Sequence, residues 1–170
     1  MPGGVAPLDF DAAAWDALDT EIRSVFDAGH LITPDQVRGR RATLREAVMA
    51  GGWPALGAAR GKVFFALDEG PEKVAAYAQG RPSLEGRVLF VNTDEASPAA
   101  AYLTLNDAGG PAGAHSRSRV RQGFIVRTRA DADTVEARTA DVSRRTAAFA
   151  SGGAICVDRL LLGRSALPDL

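Results

Sequence analysis

Residues 123–138 read GFIVRTRADADTVEAR, and their interpretation decides what kind of fold this chain has. The stretch opens as an apolar strand, Phe124, Ile125 and Val126, and then sets Arg127, Arg129, Asp131, Asp133 and Glu136 within ten residues. A buried strand that ends in alternating cations and carboxylates is how an α/β protein presents a polar site at the carboxyl edge of a parallel sheet. The guanidiniums suit a phosphate, and the carboxylates suit a hydroxyl or a hard metal ion. The same residues fit a plainer role too, as an ion-paired loop opening the next helix, with Asp133 as N-cap and Glu136 three positions on.

Further strands flank this one. Residues 62–67 (KVFFAL) form a continuous apolar run, the mark of a strand covered on both faces. Residues 87–91 (RVLFV) repeat that pattern, residues 101–105 (AYLTL) do so more weakly, and residues 154–157 give a last short strand. Pro71 starts a helix that runs to Gln79 and stops at Gly80. Residues 109–113 read as a flexible turn, 115–122 as a weak polar helix, and 139–150 as one helix before Gly152 and Gly153. Upstream, Trp15, Leu18, Ile22, Val25 and Phe26 recur at helical spacing over residues 11–28, with Gly29 as the stop. Residues 31–34 read as extended, Thr43 and Glu46 make a capping box for a helix to Ala50, and residues 54–59 make a turn. The last dozen residues read as a tail. Strand and helix alternate about every 25 residues, which predicts parallel βα units in one α/β domain spanning 1–170.

Composition narrows the function classes. A net charge of −1 provides no field for nucleic acid or an acidic membrane. The 18 arginines against 2 lysines reflect base composition rather than a basic site. One cysteine, Cys156, excludes an internal disulfide and reads as a small core residue. Residues 1–8 lack the basic start and apolar run of a signal peptide, and no apolar run is long enough to span a bilayer. No GxGxxG, Walker-type loop, HExxH, CxxC or GxSxG is present. Asp131-Ala132-Asp133 begins like an EF-hand loop, but Val135 and Glu136 stand where a ligand and a glycine are required.

Four segments carry a family resemblance in order: LDFDAAAWDALDTEIRSVF (8–26), LITPDQVRGRRATLREAV with WPALGAARGKVFFALD (31–48 and 53–68), SLEGRVLFVN (83–92), and the run through RTRADADT. Together they resemble the calcium-dependent, phosphatidylinositol-specific phospholipase C family of bacteria, and only its second half. The resemblance implies a partial (β/α) TIM-type barrel, strands four to eight of an irregular eight-stranded barrel, with the N-terminal catalytic half missing. It implies a phosphoric diester hydrolase of the inositol lipids that uses two histidines as acid and base and one calcium ion. It also implies a secreted protein that meets the membrane surface only transiently.

Residue by residue the resemblance implies less. Asp68, ending the FFALD strand, matches a carboxylate that helps hold Ca2+; the plainer role is a cap for the helix at Pro71 or a partner for Lys62 or Lys73. Arg127 and Arg129, with Asp131, match the strand end that faces the phosphate-bearing head group, and Asp158 holds its register in the last strand. There the family reads STDYY, whereas this chain has Arg159 in the tyrosine position. Neither His30 nor His115 stands at a matching position, so no catalytic residue is assigned and the isolated chain is expected to bind calcium weakly at best. Three readings follow: the C-terminal portion of such an enzyme, with the missing N-terminal half as partner; a catalytically inactive truncated product that binds head groups or a partner; and an unrelated α/β binding protein.

Overall fold

A computed structural model of the chain describes residues 9–132 and 134–157. These divide into two compact units, at Ala100 and Ala101.

The first unit opens with helix α1 (Ala12–Val25), capped by Asp11, whose carboxylate accepts from the Ala14 amide at 2.8 Å. The helix ends sooner than its apolar spacing predicts. The Asp27 side chain accepts from the amides of Gly29 and His30 at 2.8 and 3.1 Å, so a local turn outcompetes the last helical turn. The segment read as extended at 31–34 contains a helix start instead. Leu31 bridges Val63 in parallel, and Thr33 with Gln36 then forms a capping box for α2 (Pro34–Arg38). The expected box of Thr43 and Glu46 opens α3 (Leu44–Met49), and residues read as a turn include one short helix, α4 (Leu56–Ala59).

Strand β1 (Phe65–Leu67) is half-buried, helix α5 (Pro71–Ala78) follows it, and strand β2 (Leu89–Val91) is buried throughout. The two strands pair in parallel, Phe65 opposite Leu89. Double-sided cover therefore holds for 89–91 but not for 65–67, where β2 is the strand's one ladder partner among the described residues. Trp53, Phe64 and Phe90 pack with ring centroids 5.0 to 6.2 Å apart, and Leu44, Val48, Leu84 and Val88 fill the interior.

The second unit holds strand β3 (Tyr102–Thr104), helix α6 (Gly110–Arg121), strand β4 (Ile125–Arg129), short helix α7 (Val135–Thr139), helix α8 (Ser143–Ala150) and strand β5 (Ile155–Val157). The order is β3-β4-β5, all parallel, with Leu103 opposite Val126 and Thr128 opposite Cys156. Residues 109–113, read as a flexible turn, carry the first turn of α6. Gly113 is required there, because a Cβ would stand 2.1 Å from the Ala108 carbonyl oxygen. The helix expected at 139–150 begins only at Ser143, and the short α7 precedes it. Ala140 takes a left-handed φ of 56° and Asp141 accepts from the Ser143 amide at 2.8 Å, which ends one helix and starts the next. Among the described residues the expected parallel α/β arrangement is thus present as a two-stranded and a three-stranded sheet, and neither closes on itself.

One buried charge ties the first unit together. Arg87 is 1% exposed, and its Nη1 donates to Asp16 at 2.7 Å and Asp19 at 3.1 Å. Removing one partner of a buried pair typically costs about 3–5 kcal/mol, whereas a more exposed pair is worth about 0–1 kcal/mol. Arg87→Ala should therefore lower unfolding free energy in urea by about 3–5 kcal/mol. Arg38→Ala, which breaks only the pair with Asp35 at 2.9 Å, should change it by less than about 1 kcal/mol. Equal effects in the two variants would mean that the buried pair holds nothing.

Candidate functional site

Along β4 the side chains alternate. Val126 and Thr128 are fully buried, while Ile125, Arg127 and Arg129 share the other, half-buried face. The strand runs two residues beyond the 124–127 that its sequence suggests, so Arg129 belongs to it and lies opposite Val157 of β5, as Arg127 lies opposite Thr104 of β3 and Ile155 of β5. Asp131 follows and is 2% exposed. Arg127, Arg129 and Asp131 therefore stand in sequence at the carboxyl end of one strand. Asp158 and Asp133 lie outside the described residues.

Two residues that the sequence did not single out complete the arrangement. Arg127 donates through Nη1 to the side-chain oxygen of Asn106, just past β3. Arg144, in the first turn of α8, donates through Nη2 to the Asn106 carbonyl at 3.2 Å. Its Nη1 lies 3.6 Å from a Glu136 oxygen, and the other Glu136 oxygen accepts from the Ala132 amide at 2.7 Å. Glu136 thus reaches back to Ala132. The polar Asn106 at a strand end was a usable signal; nothing in the pattern of residues 143–146 marks Arg144. Arg129 and Arg144 each bury an Nε that has no hydrogen-bond partner among the described residues. Chemically this is a guanidinium-rich strand end suited to an oxyanion.

Asp68 follows β1 in the first unit and is exposed. Gly70 is the N-cap of α5, and Lys73 pairs with Glu69 at 3.0 Å. Among the described residues no three of His, Cys, Asp and Glu gather as a metal site. Calcium needs about 6–8 oxygens, so the described residues do not by themselves fit that ion. A cleft of about 560 Å3 lies between α5 and the chain after β2, lined mainly by apolar residues including Val74, Leu84 and Val91, with Asn92 and Asp94 among its polar lining. Asp68 is not in that lining.

Neither histidine ends a strand. His30 is exposed and its Nδ1 lies 2.9 Å from Asp27, whose carboxyl is held below the usual range, chiefly by that bond. His115 is exposed on α6.

A family model described as "Phosphoinositide phospholipase C, Ca2+-dependent" matches residues 1–158. No curated protein and no solved structure matches the chain.

Glu136 also sets a pH dependence. Its carboxyl is held below the ordinary 4.5, first by the Ala132 amide and less by the charge of Arg144. A depressed carboxyl stabilises the fold fully above the unfolded-state value and loses that stabilisation as pH falls through the folded value. Thermal midpoints of the wild type should therefore drop as pH is lowered from about 6 to below about 4, and Glu136→Gln should drop less. Parallel curves for the two proteins would remove Glu136 from this role.

Proposed function

The chain belongs to the Ca2+-dependent phosphoinositide phospholipase C family, and on that premise we propose that it is the C-terminal portion of a phosphoric diester hydrolase of inositol phospholipids. In this reading both units are parts of one (β/α) TIM-type barrel, strands four to eight, in a secreted protein that touches the membrane only transiently. Arg127 and Arg129 hold the phosphate-bearing head group, with Asp131 and Asp158 as further polar contacts. The observation that carries the reading is the pair of guanidiniums on one face of β4, at the carboxyl end of a parallel strand. A guanidinium offers a planar fork of donors that matches phosphate oxygens two at a time.

The acid and base are histidines supplied by an N-terminal half. Losing one proton-transfer group costs about 10²–10⁴ in rate, and this chain has neither in a strand-end position. Asp68 is one oxygen ligand of a calcium site completed outside this chain. A second reading, a non-catalytic product that binds head groups, is favoured by the placement of His30 in a surface turn with Asp27.

Purified residues 1–170 should not release inositol phosphate from phosphatidylinositol vesicles. Turnover that disappears in His30→Ala or His115→Ala would sink the half-enzyme reading. Fused to the N-terminal half of a family member, the chain should support turnover; a fusion that binds vesicles but never turns over favours the second reading. In an active fusion, Arg127→Ala should raise KM with calcium affinity unchanged, and Asp68→Asn should weaken calcium binding in calorimetry. Unchanged calcium affinity in Asp68→Asn would return that residue to an ordinary surface role.

A further inference from the structure

Pro71, Val74, Ala75 and Ala78 recur at spacings of three and four, so they share one flank of α5. Residues 92–99, which form no helix, make the opposite wall of the cleft beside that flank. A strip of chain fills less space than a helix, and about 560 Å3 is left between the walls, with the buried Leu84 and Val91 at the base. That volume falls among those of small-molecule sites, about 300–1,000 Å3. The 8 residues of α5 rise about 12 Å, so the cleft is long as well as apolar. Its two ends differ in charge. Because β1 and β2 are parallel, Glu69, just after β1, and Asp94, just after β2, stand at the same end. Both carboxylates are engaged there, Glu69 by Lys73 at 3.0 Å and Asp94 by the Ala96 amide at 2.8 Å. Arg81 stands at the other end, beyond the last turn of α5. It is half-buried, and its guanidinium makes no hydrogen bond or ion pair among the described residues. A cation partly removed from water and left without a counter-charge is stabilised by an anion that reaches it.

We propose that this cleft binds a single-chain alkyl carboxylate, a fatty acid, with its carboxylate on Arg81 and its chain along α5. The planar fork of a guanidinium matches the two oxygens of a carboxylate. The apolar flank takes an unbranched chain, and each methylene removed from water there strengthens binding. Asn92 and Thr93, beside the acids, make the far end polar, so the chain stops short of it. The acids at that end already have partners and call for no second cation, which suits a ligand with one charged head. The site belongs to the first unit alone and does not rest on Arg127 or Arg129 as head-group ligands.

The test is calorimetric titration of residues 1–170 at neutral pH with hexanoate, octanoate and decanoate, each below its micellar concentration, and with octanol as a neutral control. Affinity should rise by about fourfold per added methylene between hexanoate and octanoate, and octanol should bind more weakly than octanoate. Arg81→Gln should weaken octanoate binding by about tenfold or more. Its thermal midpoint should match the wild type, because the guanidinium has no partner to lose among the described residues. Ala75→Trp, at an exposed position on the flank, should block the cleft and abolish binding. Ala75→Leu takes its place if the tryptophan variant fails to match the wild-type circular dichroism spectrum, and should weaken binding. Octanoate that does not bind the wild type, or that binds the blocked variant just as tightly, overturns the site. Octanol bound as tightly as octanoate, or unchanged affinity in Arg81→Gln, overturns Arg81 as the carboxylate ligand. An affinity independent of chain length overturns the alkyl chain along α5.

Discussion

The first unit depends on the burial of one charge, the guanidinium of Arg87. Taking a guanidinium out of water costs several kcal/mol unless its surroundings compensate. Here the compensation comes from three sides. Asp16 and Asp19 on α1 accept from Nη1, and the Tyr77 ring of α5 lies 4.6 Å from the guanidinium carbon, within cation–π range. Tyr77 then passes the interaction on. Its hydroxyl donates to Asp19 at 2.7 Å and accepts from the amides of Val88 and Leu89 at 3.1 and 2.8 Å. Burial pushes the Tyr77 hydroxyl far above its ordinary pKa, so it remains a donor at any working pH. One buried ion set thereby fixes α1, α5 and the entry to β2 together.

The loop that carries Arg87 collects other elements as well. The Gly86 amide donates to Asp35 of α2 at 2.7 Å, the Gly86 carbonyl accepts from Arg23 of α1 at 3.1 Å, and Ser83 accepts from the Leu44 amide of α3 at 3.3 Å. Leu84, between them, adopts a left-handed φ of 60° while fully buried. A branched side chain there costs roughly 1–2 kcal/mol, and burial of that side chain and the surrounding hydrogen bonds hold it in place. The cleft beside α5 is lined in part by Leu84 and Val91, so its shape follows from the same loop.

The second unit uses the same ingredients to a different end. Arg87 faces two carboxylates in a closed interior, whereas Arg127 and Arg144 both donate to Asn106 at a half-buried strand end and Arg144 also lies 3.6 Å from Glu136. Arginine matched by acids inside a unit reads as scaffolding. Arg127 and Arg144 come from different elements and both donate to Asn106, so that residue ties the end of β3 to β4 and α8. The two networks therefore act locally: one holds the first unit together, the other joins a strand end to a helix in the second.

Periodicity and local chemistry determined much of this chain without help. The mainly apolar runs at 62–67, 87–91 and 124–127, the capping box of Thr43 and Glu46, and Pro71 as a helix start are all signals within a few residues; each marks an element of the structure, with the strands themselves at 65–67, 89–91 and 125–129. The pairing of Arg127 and Arg129 on one face also follows from strand geometry alone. What the sequence did not determine depends on partners far apart in the chain. Arg87 reads as the first residue of a strand, yet its fate is set by acids 68 and 71 positions earlier. Arg144 is unmarked in the sequence, and its partner Asn106 lies 38 positions away. Local competition decided the rest: the side chains of Asp27 and Asp141 captured nearby amides and moved helix ends that the apolar spacing had put elsewhere. Short-range patterns fix elements because their energies are local, while the role of a charged side chain is fixed by whichever neighbour folding brings to it.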